Sequence, residues 1–275
     1  LAKDDLQLIS MQILWAALLL MSISVYLFHK LIYPQKIKGQ FEIAELKRET
    51  DNVYTVKIRH RDKEEIPDFL PGQFHFLTLH GCENLPEEEH PFSISSHPEE
   101  KDHLHFTIKM SGDFTSNIHL VEPGQPATIR GPFGKFSYLL HPEEKDMVFI
   151  AGGIGITPFI SMLRHMQHQN SDRKVLLIYA NRSPQDIIFN EELQEMENAG
   201  NIDLKVIRII SKPNGDWQGE IGYITGERLK EFCCNNFENK SFWICGPPHM
   251  QKKLISQLRQ MGVPPHKIHV ETFAF

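Results

Sequence analysis

Met147-Val-Phe-Ile-Ala-Gly-Gly-Ile-Gly-Ile-Thr-Pro158 is the stretch on which the fold turns. The apolar run Met147 to Ile150 suits a short buried strand, and it breaks into three glycines and a Thr-Pro pair. Glycines remove the side chains that would hold a diphosphate away from backbone. The apolar run that follows, Phe159 to Met166, can carry a helix whose first amides face the same spot. Spacing excludes two other phosphate-binding patterns: no Gly-Lys-Ser/Thr follows, and Pro158 stands where the third glycine of GxGxxG would fall. The segment alone fits equally a strand, turn and helix whose glycines only permit close packing, so the surrounding chain decides.

Downstream, apolar strands alternate with helical stretches. Lys174–Ala180, Leu204–Ile210, Ser241–Cys245 and Lys267–Phe273 read as strands, while Glu191–Ala199 and His249–Met261 have helical period. This rhythm predicts an α/β domain with a mostly parallel sheet over residues 146–275, binding its ligand at the C-terminal strand ends. The informative residues fall at those ends: Gly152, Gly153, Gly155 and Thr157; Asn181, Arg182 and Ser183; Cys245, Gly246 and Pro247. Arg182 and Ser183 come where a ribose would lie, and a guanidinium there suits a 2′-phosphate, unless Arg182 merely pairs with Asp186 or Glu191. Cys245 has no base beside it in sequence and reads as a small polarisable side chain lining a pocket rather than a nucleophile.

Upstream, over residues 37–145, the pattern is alternating and turn-rich. Phe41–Leu46, Val53–Arg59, Phe74–Leu79 and Leu104–Lys109 read as strands at period two, with turn signals at Pro71-Gly72 and Pro123-Gly124. Short strands without intervening helices predict a small antiparallel β-barrel. His90-Pro-Phe-Ser-Ile-Ser-Ser96 concentrates a potential cation, an aromatic ring and hydroxyls; in a strand, His90, Phe92 and Ile94 share one face and Pro91, Ser93 and Ser95 the other. Those groups match what a flavin needs, although a core phenylalanine with strand-end serines would read the same. In Lys109–Leu120 a glycine turn at Gly112 precedes Thr115 or Ser116 as cap of a short helix from Asn117, a second N-terminus suited to phosphate. Gly131-Pro-Phe-Gly134 reads as a sharp loop before the next domain.

Residues 1–36 differ from the rest. Leu6 to Leu27 carry no charge, enough to predict a transmembrane helix, with Trp15, Tyr26 and Tyr33 near its ends. Asp4 and Asp5 precede it, and His29, Lys30, Lys36 and Lys38 follow, so the lysine excess predicts a membrane protein whose two soluble domains lie on the cytoplasmic side. A net charge of −6 without a basic cluster argues against a nucleic-acid partner. Cys82, Cys233, Cys234 and Cys245 have neither metal-ligand nor disulfide-framework spacing, so no metal is expected. Because the chain starts at Leu1, it is expected to be a piece of a longer protein.

The ordered set Pro71-Gly-Gln-Phe74, His90-Pro-Phe-Ser-Ile-Ser-Ser96, Gly112-Asp-Phe-Thr115, Gly131-Pro-Phe-Gly134, Gly152-Gly-Ile-Gly-Ile-Thr-Pro158, Cys245-Gly-Pro247 and Glu271-Thr-Phe273 resembles the ferredoxin–NADP reductase superfamily. The His-Pro-Phe form resembles its NADPH oxidase and ferric reductase branch. The resemblance implies FAD held by His90, Pro91, Phe92 and Ser93, with Phe92 against the ring, Ser93 near N5, and Gly112 and Thr115 at the diphosphate. It implies NADPH received by Gly152, Gly153, Gly155, Thr157 and Pro158, its 2′-phosphate taken by Arg182 beside Ser183, and a nicotinamide pocket lined by Cys245 and Gly246. Ser93, Cys245 and Phe273 would stand at the reacting rings, with Phe273 shielding the flavin; the two residues after it make Phe275 the other candidate.

The implied activity is hydride transfer from NADPH to FAD and single-electron transfer to haem, ending on oxygen or ferric iron. Haem is expected only in membrane helices absent from this chain. Two other readings remain at this level: an anchored reductase serving a separate haem protein, and a non-enzymatic flavoprotein module for sensing.

Overall fold

The structure, a computed structural model, describes residues 2–28, 40–215 and 217–273, without the side chains of residues 2–10. Period-two alternation in the middle of the chain becomes six strands: β1 (Phe41–Thr50), β2 (Val53–His60), β3 (Phe74–Leu79), β4 (His90–Ser93), β5 (Leu104–Lys109) and β6 (Pro126–Phe133). They pair antiparallel in the order β4-β3-β6-β1-β2-β5. The two edges then meet. Ile94, just past β4, bridges Phe106 of β5, and the Ser95 N–H donates to the His105 carbonyl at 2.8 Å. The sheet closes on itself, so neither edge is left unpaired. In β3 the alternation is direct: His75, Leu77 and Leu79 are buried inside, while Phe74 and Phe76 stand half-buried outside.

Two local expectations in this domain are corrected. Gly131, Pro132 and Phe133 are not a loop; they continue β6, with Phe133 opposite Phe74 across a register shift. Prolines at 126 and 132 conceal the strand in sequence, because proline weakens a strand signal. The short helix expected from Asn117 is instead a single turn, α2 (Gly112–Thr115), followed by a 3₁₀ turn at Ile118–Leu120. Gly112, with φ +79°, turns the chain at once. The Thr115 hydroxyl folds back on Ser111, donating to its carbonyl and accepting its N–H, so it caps nothing downstream. One turn is also too short to sum much of a helix dipole.

The rest forms a parallel sheet in the order β10-β9-β8-β7-β11-β12, from β7 (Asp146–Gly152), β8 (Lys174–Asn181), β9 (Asp203–Ile210), β10 (Glu220–Ile221), β11 (Lys240–Cys245) and β12 (Ile268–Glu271). The helices are α3 (Thr157–His168), α4 (Asn190–Ala199), α5 (Gly226–Phe232) and α6 (Pro248–Gln260). β7 shows why both faces are covered. Met147 and Phe149 join a core with Phe159 and Leu163 of α3 and Leu193 of α4, whereas Val148 and Ile150 join Leu229 of α5 and Leu254 of α6. β10 and α5 were not legible beforehand, being two and seven residues long.

A polar seam joins the two domains. The Ser161 hydroxyl of α3 donates to the Ser96 carbonyl at 2.6 Å, and Arg164 donates to the Ser95 carbonyl while forking onto Glu192 at 2.6 and 2.8 Å. Glu99, in the β4–β5 connection, takes hydrogen bonds from His97, His165 and Gln169. α3 is thereby bolted to the segment that continues the His90–Ser93 strand.

At the N-terminus α1 (Ala2–Leu27) is helical, with Met11, Trp15, Leu19 and Leu20 all more than half exposed. Among the described residues no helix is long and apolar enough to cross a membrane. The expected helix is present, and the side chains of residues 6–10 of the expected span lie outside the described residues. The flanking His29, Lys30, Tyr33, Lys36 and Lys38, and the side chains of Asp4 and Asp5, lie outside the described residues.

Candidate active site

Strand order locates the crevice. The chain runs outward from β7 through β8 and β9, then returns to lay β11 on the other side of β7. Adjacent connections therefore part above the C-terminal ends of β7 and β11, where open α/β sheets bind ligands. A cleft of ≈ 570 Å³ opens there, with Gly152, Gly153 and Ile154 after β7, Asn181 and Arg182 after β8, Ser211 and Lys212 after β9, and Pro247 after β11. Its opposite wall belongs to the barrel: Asn52, Val53 and Lys109.

The glycines divide into two jobs. A Cβ on Gly155 would lie 2.4 Å from the Cys245 carbonyl oxygen, and one on Gly152 would lie 2.8 Å from the Pro247 ring. Gly155 lets the β7 turn touch the β11 turn backbone to backbone, and Gly152 makes room for the Pro247 ring and the Met250 side chain. Gly153 is different: φ is +53°, nothing lies within 4 Å of its Cβ position, and it lines the cleft. Thr157 and Pro158 are buried below this turn, where the Thr157 hydroxyl donates to the Ile154 carbonyl at 3.0 Å. They shape the turn rather than line the cleft. Close packing thus accounts for Gly152 and Gly155, and ligand approach for Gly153.

The cleft is basic. Arg182, Lys212, Lys253, Lys109 and His249 line it against the single carboxylate of Asp186. Arg182 is exposed and makes no ion pair among the described residues; Asp186 is taken instead by Ser183, whose N–H and hydroxyl both donate to it at 3.0 and 2.7 Å. Ser183 therefore holds the turn and does not line the cleft. Lys212 is set beside Arg182 by its N–H, which donates to the Arg182 carbonyl at 2.7 Å. Asn181 is buried at the cleft wall with both amide atoms unpaired, the kind of orphaned polar group that a ligand satisfies.

The His90–Ser93 strand lies on the barrel, outside this cleft. His90 packs on Phe114 of α2 with ring centroids 3.9 Å apart, and Phe92 stacks on the same ring at 6.3 Å. Pro91 is exposed and Ser93 buried, with Ser93 opposite Phe74. The Phe74 ring approaches Gly134, as does a carboxylate oxygen of Glu271. The C-terminal strand thus ends beside the Ser93 and Phe74 pair, bringing together residues almost 180 positions apart.

Two families match in the same order as these two domains. The FAD-binding domain family matches residues 39–142 and the oxidoreductase NAD-binding domain family residues 149–255. The chain combines these two families. It carries an FAD-binding domain and a pyridine-nucleotide-binding domain, and is an NAD(P)H-dependent, FAD-containing oxidoreductase. Among its relatives, a flavohemoprotein of Bacillus subtilis is 28% identical over 243 residues, 85% of this chain and 58% of that protein. NADH-cytochrome b5 reductase 2 of Lodderomyces elongisporus is 31% identical over 170 residues, 60% of this chain and 56% of that one. The chain spans less than two thirds of either relative. In fold it matches the FAD/NAD-binding domain of a Vibrio cholerae nitric oxide dioxygenase (TM-score 0.73, 22% identity, 86% of this chain and 99% of that one). It likewise matches a Neisseria gonorrhoeae ferredoxin–NADP⁺ reductase with bound FAD and NADP (TM-score 0.72, 22% identity, 86% and 99%).

In this oxidoreductase the residues present fit both nucleotides: an open glycine, an unpaired arginine and an orphaned amide in one cleft, and an aromatic pair beside the Gly112 turn. Cys245 is fully buried, and burial, with Glu271 nearby, pushes its thiol well above the ordinary range. A thiol held protonated in this way is poorly suited to act as a nucleophile. Gly246, with φ +155°, packs against Gly152. Phe273 packs half-buried against the core that contains Cys245, Val53 and Phe136, while Phe275 lies outside the described residues. Gln251, which motif reading missed, is 4% exposed and donates to the carbonyls of both Gly246 and Glu271 at 2.9 and 2.7 Å, while Thr272 donates to it. One side chain ties the nucleotide turn to the C-terminal tail. Lys212, Lys253 and His249 were also missed; only the fold brings them to one mouth.

Proposed function

We propose that this chain is the dehydrogenase part of a membrane-attached oxidoreductase of the NADPH oxidase and ferric reductase branch, taking reducing equivalents from NADPH and delivering electrons to haem in helices outside this chain, with oxygen or ferric iron as terminal acceptor. FAD, when bound, supplies two-electron uptake from nicotinamide and one-electron release. The chain supplies placement. Gly153 admits the dinucleotide backbone; Arg182 and Lys212 meet the 2′-phosphate that distinguishes NADPH from NADH. His90, Pro91, Phe92 and Ser93 hold the flavin with Gly112 and Thr115, and Phe273 covers its face and keeps water away.

The observation that carries this reading is the basic, glycine-floored cleft, open toward the barrel and walled by both domains. Membrane attachment draws its support from the exposed apolar surface of α1, since a helix apolar all round needs a non-aqueous cover; the cytoplasmic side rests on the lysine excess after it. The test is anaerobic: protein reconstituted with FAD should bleach within seconds of NADPH addition. Protein that stays colourless with FAD, or stays yellow with NADPH, removes the proposal.

A second reading keeps the same donor chemistry with a separate haem protein as acceptor, favoured by the similarity to an NADH-cytochrome b5 reductase. Rapid reduction of an added soluble haem protein, without any haem in the chain's own full-length product, would select it.

A further inference from the structure

A cluster of metal-binding side chains lies away from the nucleotide cleft and has no part in the reaction above. His141 and Glu144 sit in the connection between β6 and β7, and His269 sits in β12; their ligating atoms are all within 4.8 Å of one another. We propose that these three residues form a site for a divalent transition ion, zinc by preference, which ties the C-terminal strand to the interdomain connection.

The donor set is the first argument. Two imidazoles and one carboxylate are ligands for zinc-class ions, whereas magnesium and calcium take oxygen ligands almost throughout. Geometry is the second. Ligand atoms on one tetrahedral zinc, each bonded at about 2.0–2.1 Å, stand roughly 3.3 Å apart. His269 Nε2 already lies 3.0 and 3.1 Å from the two Glu144 oxygens. The His141 ring is 4.2 Å from the His269 ring between centroids and half-exposed, so it can rotate to close the third edge while a solvent-side position stays open for water.

The surroundings behave like the outer shell of a metal site. The Trp243 indole stacks on His269 at 4.0 Å, holding that ring in place, and meets His141 edge-on at 5.5 Å. Trp243 Nε1 donates to the Ser241 hydroxyl at 3.1 Å, and Ser241 lies beside Glu144. Such second partners orient ligands and set affinity. Glu144 is only 2% exposed, and a buried carboxylate demands a positive partner. Lys267 stands 3.6 Å away, near enough to neutralise it and far enough to yield to an ion.

The consequence is mechanical. β12 has four residues, is an edge strand, and leads directly to Phe273. An ion at this point pins that strand to the segment between the domains.

The test uses the full chain and two probes, Co²⁺ for its visible absorption in a tetrahedral site and Zn²⁺ for affinity. Because the chain has 15 histidines, the signal is the difference between wild type and the double variant His141→Ala/His269→Ala. Expected are one equivalent of intense Co²⁺ absorption displaced by Zn²⁺, a Zn²⁺-dependent rise in Tm, and loss of both in the double variant. His141→Ala alone, at a half-exposed position that keeps the fold, should weaken Zn²⁺ binding on the order of 100-fold. Lys267→Met should tighten it, by removing the competing cation. Equal Zn²⁺ affinity in wild type and His141→Ala overturns the proposal and leaves the cluster an ion-paired knot. Metal binding is read without NADPH or FAD, so this result is independent of the functional reading.

Discussion

Gly155→Ala and Gly153→Ala, two positions apart, should both destabilise, but only Gly153→Ala should also weaken nucleotide binding. The added methyl on Gly155 would sit 2.4 Å from the Cys245 carbonyl oxygen, 2.6 Å from its carbon and 2.8 Å from the Gly246 nitrogen. All three are backbone atoms, and Cys245 is held on both sides by parallel pairing, to Ala151 in β7 and Glu271 in β12. No flexible side chain can yield, so the β11 turn must retreat by about 1 Å. Overpacking of this kind costs about 1–3 kcal/mol, and rigid neighbours place it at the upper end. At about 2–4 °C per kcal/mol for a chain of this size, Tm should fall by roughly 5–10 °C. Gly153 has nothing within 4 Å of its Cβ position, so its penalty is the left-handed backbone alone, about 1–2 kcal/mol. Its methyl points into the cleft, however, and should weaken NADPH binding about tenfold. Thermal unfolding, with and without FAD, and fluorescence titration with NADPH measure both. A Gly155→Ala protein within 2 °C of wild type (roughly the effect of 1 kcal/mol or less) would falsify the close-packing argument. A Gly153→Ala protein with unchanged NADPH affinity would remove Gly153 from the nucleotide site.

Other outcomes follow from neighbouring groups. Arg182→Ala should raise the KM for NADPH about tenfold or more and leave that for NADH nearly unchanged, since a charge-assisted bond to phosphate is lost; steady-state kinetics with both nucleotides decide, and equal losses dissociate Arg182 from the 2′-phosphate. Gln251→Ala leaves the Gly246 and Glu271 carbonyls without their donor, which should lower stability by about 1–3 kcal/mol and expose the C-terminal tail to carboxypeptidase; urea unfolding unchanged from wild type would show the tail is held otherwise. Glu99 should confer acid-sensitive stability. Burial works to raise its pKa, but hydrogen bonds from His165, His97 and Gln169 outweigh it and hold the carboxyl at about 2. A depressed carboxylate stabilises the fold above its unfolded pKa of about 4.5 and loses that contribution as pH falls toward about 2. Glu99→Gln should therefore lower Tm at pH 7 and converge on wild type near pH 2, and a pH-independent difference would point to lost packing instead.

The two domains were legible because their signals are local. Alternation in Phe41–Thr50 or Val53–His60 and the apolar run of β7 each report which faces will be buried, and each spans several consecutive residues. Signals that reach across the chain were weaker. β6 was hidden by two prolines, and its place between β3 and β1 depends on pairing partners far away. Thr115 looked like a cap because of its type, yet Gly112 had already turned the chain and the hydroxyl bonded backward. For the candidate site, Gly153, Asn181 and Arg182 could be named from position alone, whereas Lys212, Lys253 and Gln251 could not.

By itself the chain of residues determined strand and helix type, the order barrel then parallel sheet, and the glycine turn after β7, because hydrophobic period and backbone freedom act over a few neighbours. Tertiary structure alone decided that Gly153 has open space at the cleft while Gly152 and Gly155 admit close packing, that among the described residues Arg182 makes no ion pair while Asp186 is occupied, and that His141, Glu144 and His269 converge. Those outcomes depend on where β11 and β12 return beside β7, and close approach between segments a hundred residues apart is a property of packing that no local pattern carries.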